Sequence, residues 1–158
     1  MALVHAVRLG GTGEKMHDEL LRPTIDGRAP SGARPWRPLA IAYPAYLAGP
    51  LTAAVLGAVN GHRLGPATTR LAAIGAAGLF AFGARVALSP PADDFVDVRQ
   101  VGGVAGLLVW LVVLGLQGKP FRAYLRGRAR PSSLVRPGLA AVLGCGLLEL
   151  GVIYGLVR

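Results

Sequence analysis

Charge is scarce in this chain. Asp, Glu, Lys and Arg make up 16% of its 158 residues, where a soluble domain carries about 25%. Acidic charge is scarcer still, with eight Asp and Glu against seventeen Lys and Arg. One cysteine, Cys145, excludes an intrachain disulfide framework and a Cys-rich metal site. It lies in an apolar block and reads as a small packing residue. His5, His17 and His62 fall in tail or loop without ligand spacing, which argues against haem or zinc. GxSxG, HExxH and Walker A motifs are missing, as is a GxGxxG in a strand–turn–helix context. No catalytic residue, cofactor or metal site is therefore expected, and the chain does not read as an enzyme. The first residues lack the apolar stretch of a secretory signal peptide. Their leader-like, unpatterned run makes Met16 a competing start to Met1.

Apolar residues are abundant instead. They form 53% of the chain, with a mean hydropathy of +0.49. They are gathered in four blocks, Leu39–Val59, Leu71–Leu88, Val101–Leu116 and Gly138–Val157. A helix crossing a bilayer core of ~30 Å needs about 20 residues. The first and last blocks meet that length, the second is short, and the third is marginal unless Gln100 and Gln117 extend it to the interfaces. Continuous blocks without alternation, too few to close a barrel, exclude a membrane β-sheet. The expected fold is an all-α integral membrane bundle over residues 38–158, behind a polar, Gly/Pro/Arg-rich tail over residues 1–37. That tail is expected to be mostly disordered. Trp36, between Arg34-Pro35 and Arg37-Pro38, reads as an interfacial anchor. The 23 glycines suit close packing of membrane helices. Gly102-x-x-x-Gly106 and Gly151-x-x-x-Gly155 are weak signals of such contacts.

The connections differ in sign. Ser89–Gln100 holds Asp93, Asp94 and Asp97 against Arg99. Gly118–Pro137 holds Lys119, Arg122, Arg126, Arg128, Arg130 and Arg136 with no acid, a cytoplasmic signal. The acidic loop then faces outward. The net charge of +9 sits in tail and loops, so anionic headgroups, not nucleic acid, are the expected partner. FRAYLRGRARPSSLVR reads as a lipid-surface segment.

The first block raises a topological choice at Gly49-Pro50. A proline kink is tolerated in a spanning helix, and a turn at depth would leave backbone groups unsatisfied unless something covered them. A kinked, continuous span is preferred on that ground, giving four spans with both termini outside. Basic residues are then tied between the two sides, eight to eight. A re-entrant first block places fourteen on one side and two on the other, which the positive-inside rule favours. At its end, Asn60, His62 and Arg63 read as an interfacial polar cap.

The stretch YLAGPLTAAVLGAVNGHRLG resembles a segment of a group of small bacterial polytopic membrane proteins with no assigned activity. Gly49, Pro50, Leu51, Asn60, Leu64 and Gly65 stand in that pattern, roughly GGPLAG followed by an apolar run and Asn-x-x-x-Leu-Gly. Ala48 and Ala54 replace glycines. The match covers Tyr46–Gly65 alone. It implies a multi-pass bacterial protein and no activity.

Two ionisable residues fall inside apolar blocks, Arg85 and Glu149. Such residues are costly in a membrane and mark functional sites by default. Their offsets from Arg70 and Arg136 put them within about 3 Å of one depth. A buried ion pair is the expectation, and Arg85 snorkelling to the outer interface is the competing one. The chain reads as an accessory or assembly partner in the bacterial cytoplasmic membrane. The alternative is a homo-oligomeric small transporter or channel using Arg85 and Glu149.

Overall fold

The computed structural model describes residues 33–65, 67–88, 95–127 and 130–157. Among them every regular element is a helix and there is no strand. A 3-10 turn, Pro38–Ile41, leads into α1 (Ala42–Ala48) and α2 (Pro50–Leu64). Then follow α3 (Thr68–Leu88), α4 (Phe95–Arg126) and α5 (Val135–Val157). The tail up to residue 32, the Asp93-Asp94 pair and Arg128 lie outside the described residues.

The first apolar block is not one kinked helix. Gly49 has φ 96° and ψ −169°, a region that residues with a Cβ essentially never occupy. It ends α1 and caps α2, whose first residue is Pro50. Proline suits that position because its fixed φ fits a helix start and it has no N–H to leave orphaned. The chain reverses there. Trp36, before the block, donates its backbone N–H to Asn60 Oδ1 at 2.7 Å. The two ends of the block therefore meet, and α1 and α2 form a helical hairpin. This corrects the continuous-span expectation.

The objection to such a turn was its backbone, and the local geometry answers it. Gly49 N–H donates to Ala45 O, finishing α1, and Gly49 O accepts from Ala53 N–H, starting α2. Pro50 has no N–H. Leu51 N–H goes to Glu149 Oε1 at 2.7 Å. A carboxylate from the far end of the sequence thus supplies the cover that the local sequence lacks.

The hairpin is the centre of the bundle. α2 carries the most buried face, with Thr52, Ala53, Ala54, Leu56, Gly57 and Asn60 inside. It packs on α3, α4 and α5, and α1 packs on α4 and α5. α5 is held chiefly by the hairpin. Gly106 lets α4 ride against the α1 backbone, since a Cβ there would meet the Ala45 carbonyl. Gly151 and Gly155 face open space, so that spacing makes no close helix contact within the chain.

Three helices are long and apolar enough to cross a membrane: α3, the Val98–Arg126 part of α4, and α5 to Gly155. Their outward faces are apolar, with Phe80 80% and Leu147 67% exposed. Several ends differ from expectation. α3 and α5 each start three residues early, at Thr68 and Val135; a first turn tolerates polar residues and, at Pro137, a missing N–H, because its donors have no partner within the helix. α4 runs through much of both expected loops, from Phe95 to Arg126. Pro120 lies inside it without ending it. Proline removes one backbone donor, and a long, well-packed helix tolerates that loss. Lys119, Arg122 and Arg126 are therefore helical in α4 and Arg136 in α5, and the described part of the connection is Gly127 and residues 130–134.

Candidate functional site

Two polar clusters sit on the hairpin, one at each end. The first is at its tip. Glu149 lies some 21 Å along α5 from Val135, and Arg85 some 25 Å along α3 from Thr68, at ~1.5 Å per residue. The tip of the hairpin is about 22 Å from Leu64 by the same measure. All three reach one level. Arg85 Nη1 pairs with Glu149 Oε2, and Arg85 Nη2 donates to Val98 O at 3.4 Å. The two side chains are 5% and 0% exposed, so this pair is interior to the chain. The Glu149 carboxylate also sits on the positive end of α2, where a helix dipole favours an anion. One residue thus ties α3, α5 and the hairpin tip together. Gly49 and Gly102 make room for it: a Cβ on Gly49 would strike the Glu149 carboxylate, and one on Gly102 would strike the Arg85 guanidinium. Thr52 is fully buried two residues past the turn, and its Oγ1 has no hydrogen-bond partner among the described residues. Beside the pair lies a cavity of about 130 Å³, lined in part by Arg85, Arg99, Gly102 and Gly103.

The second cluster closes the base. Asn60 Oδ1 accepts from Trp36 N–H, and Asn60 Nδ2 donates to Gln117 Oε1 at 2.7 Å. Gln117 Nε2 donates to the Gly57 carbonyl. Arg63 stacks over the Trp36 ring, its Cζ 3.9 Å from the centroid, and Arg63 Nη1 donates to Arg34 O at 3.2 Å. Trp110 Nε1 donates to Pro38 O at 3.0 Å. Ser132 N–H donates to Pro35 O and Ser132 Oγ to Arg34 O, which brings the connection before α5 to the same end.

Asn60 was expected to stop a helix at an interface. It lies within α2, which ends at Leu64 with Gly65 as its cap, and its amide is fully buried. Arg63 and His62 do occupy the last turn, where a cation suits the helix dipole. His62 is exposed and takes no part in the network. Trp36, read as an interfacial anchor, is 3% exposed and lies under Arg63. Gln117, read as extending the third block at the interface, does continue α4, and its amide is buried. An amide at the end of each of two apolar blocks was the available signal for this link. Among the described residues no three His, Cys, Asp or Glu side chains gather as metal ligands.

No family model, curated protein or solved structure matches the chain.

Proposed function

We propose that the chain is a multi-pass protein of a bacterial cytoplasmic membrane, with three crossing helices and a re-entrant hairpin, acting as an accessory or assembly partner. One observation carries the reading: Glu149, the acid set inside an apolar helix, is 0% exposed and fully engaged by Arg85 and the α2 N-terminus. A charge that works on a permeating solute has to meet water. This one is consumed in fixing the hairpin. What remains for function is the apolar outer surface of α3, α4 and α5, including a groove of about 600 Å³ between α3 and α4. The group of bacterial proteins that Tyr46–Gly65 resembles is also multi-pass, in keeping with this reading.

Orientation follows from the hairpin. With its ends together, the basic residues of the tail, of Asn60–Arg70 and of Gly118–Pro137 share one side, fourteen in all, against Arg99 and Arg158 on the other. The positive-inside rule makes the first side cytoplasmic. The hairpin then enters from the cytoplasm, and its tip passes the middle of a ~30 Å hydrocarbon core. Reporter fusions at residues 1 and 158 are expected on opposite sides of the membrane, the first inside. Fusions reporting the same side would overturn the hairpin topology.

The functional test is purification from native membranes in mild detergent, followed by native mass spectrometry. A stoichiometric second protein is the expected result. The second reading is a homo-oligomeric transporter or channel. It draws support from the helix N-terminus at depth beside Arg85, a device from which transporters build midplane sites, and from the small cavity that Arg85 and Arg99 share. A single-species multimer, together with aqueous labelling of a cysteine at position 149, would replace the first reading with it.

A further inference from the structure

Two cavities adjoin on the face shared by α1 and α5. The lower is an apolar groove of about 370 Å³ between the first arm of the hairpin and α5, walled by Tyr43, Leu47, Leu139 and Val142. The upper is an open pocket of about 380 Å³ whose wall includes Arg37, Ser132 and Ser133. Ala40 and Leu134 line both, so the two are neighbours along α5. The groove extends about 10 Å along α5 from Val135 to Val142. That fits within one leaflet, half of a ~30 Å core. The pocket above it lies at the basic end of the bundle, because Ser132 is hydrogen-bonded to Arg34 and Pro35. Arg37 is exposed there, and among the described residues no carboxylate pairs with it. The Ser133 hydroxyl accepts from Val135 N–H at 3.4 Å and faces water.

We infer that this composite cavity is a binding site for one anionic phospholipid of the cytoplasmic leaflet. Its phosphate lies on Arg37 and accepts from the Ser133 hydroxyl, whose proton is not used by Val135, and one acyl chain fills the α1–α5 groove. Charge complementarity selects this occupant. The groove is apolar over about two thirds of a leaflet's depth, and its cation sits at the end nearest the headgroups. A partner helix would fill the apolar part and leave Arg37 unanswered. A free phosphate would answer Arg37 and leave the groove empty. The inference rests on the membrane orientation proposed above.

The test is native mass spectrometry of the full chain in detergent micelles. The micelles are titrated with phosphatidylglycerol, with phosphatidylcholine of the same acyl chains, or with inorganic phosphate. One phosphatidylglycerol per chain is expected in preference to phosphatidylcholine, and phosphate at equal concentration does not displace it. Arg37→Gln lowers the phosphatidylglycerol affinity about fivefold, the scale of one cation near an anionic surface. Ser133→Asp keeps an acceptor for Val135 N–H and so spares the fold, while placing a negative charge in the pocket; its loss is at least as large. Arg122→Gln, on α4 and outside the cavity, leaves the preference intact. Equal binding of the two lipids overturns the site, as does retained preference in both pocket variants or an equal loss in Arg122→Gln. Displacement by phosphate would make it a soluble-anion site. A chain recovered in the aqueous fraction without detergent would instead overturn the membrane reading itself.

Discussion

Replacing Glu149 with alanine will destabilise the protein by about 3–5 kcal/mol, the cost of removing one partner from a buried ion pair. Three losses coincide. The Arg85 guanidinium stays inside the bundle without its carboxylate. The Leu51 N–H at the start of α2 loses its acceptor. α5 loses its polar link to the hairpin, against which it chiefly packs. Glu149→Gln keeps an acceptor for Leu51 and loses the charge, so it should fall between alanine and wild type. The decisive comparison is the double variant Arg85→Leu/Glu149→Leu. Two apolar residues remove the desolvated charges together, and such replacements are often neutral or stabilising. The double variant should be more stable than either single leucine variant. Equilibrium unfolding in mixed micelles, followed by the fluorescence of Trp36 and Trp110, reads this directly. Losses that simply add would show that the two residues act independently.

That prediction marks where reading the sequence stopped. The three long helices were legible because their solvent-facing and inward-facing sides are both apolar, leaving charge only at the ends. Arg85 and Glu149 stood out for the same reason, and counting residues from the flanking arginines put them at one depth. The hairpin was harder. Charge distribution pointed to it and local backbone chemistry pointed away, since the Leu51 N–H that follows Gly49-Pro50 has no neighbour in sequence able to cover it. The cover comes from Glu149, 98 residues beyond Leu51. No local pattern encodes a contact at that separation. The burial of Asn60 and Gln117 was hidden for a related reason. A lone amide near the end of an apolar block looks like the water boundary, and only pairing with another amide from a second helix takes it inside. The burial of Trp36 was hidden because its cover, Arg63, lies across the hairpin turn. The helix ends of α4 were misjudged because proline and charge were read as breakers, whereas one long helix projecting beyond an apolar core keeps its own hydrogen bonds through both.

Gly49→Ala is expected to be as damaging as Glu149→Ala, and the two effects should be coupled. The backbone conformation at Gly49 costs a residue with a Cβ about 1–3 kcal/mol by itself. The new methyl would also occupy the space of the Glu149 carboxylate and the Arg85 guanidinium. Forcing extra volume into a packed site adds about 1–3 kcal/mol. Gly65 separates the two contributions. It also has positive φ, 122°, but a Cβ there meets nothing within 4 Å. Gly65→Ala should therefore show the backbone cost alone. In a Glu149→Ala background the steric part at Gly49 largely disappears, because the carboxylate that the methyl strikes is gone, and the further loss from Gly49→Ala should shrink toward that of Gly65→Ala. An undiminished loss in that background would mean that the turn is held by its own backbone and not by the ion pair around it. The hairpin would then stand without Glu149, and the reading of that acid as the clamp of a re-entrant tip would fall.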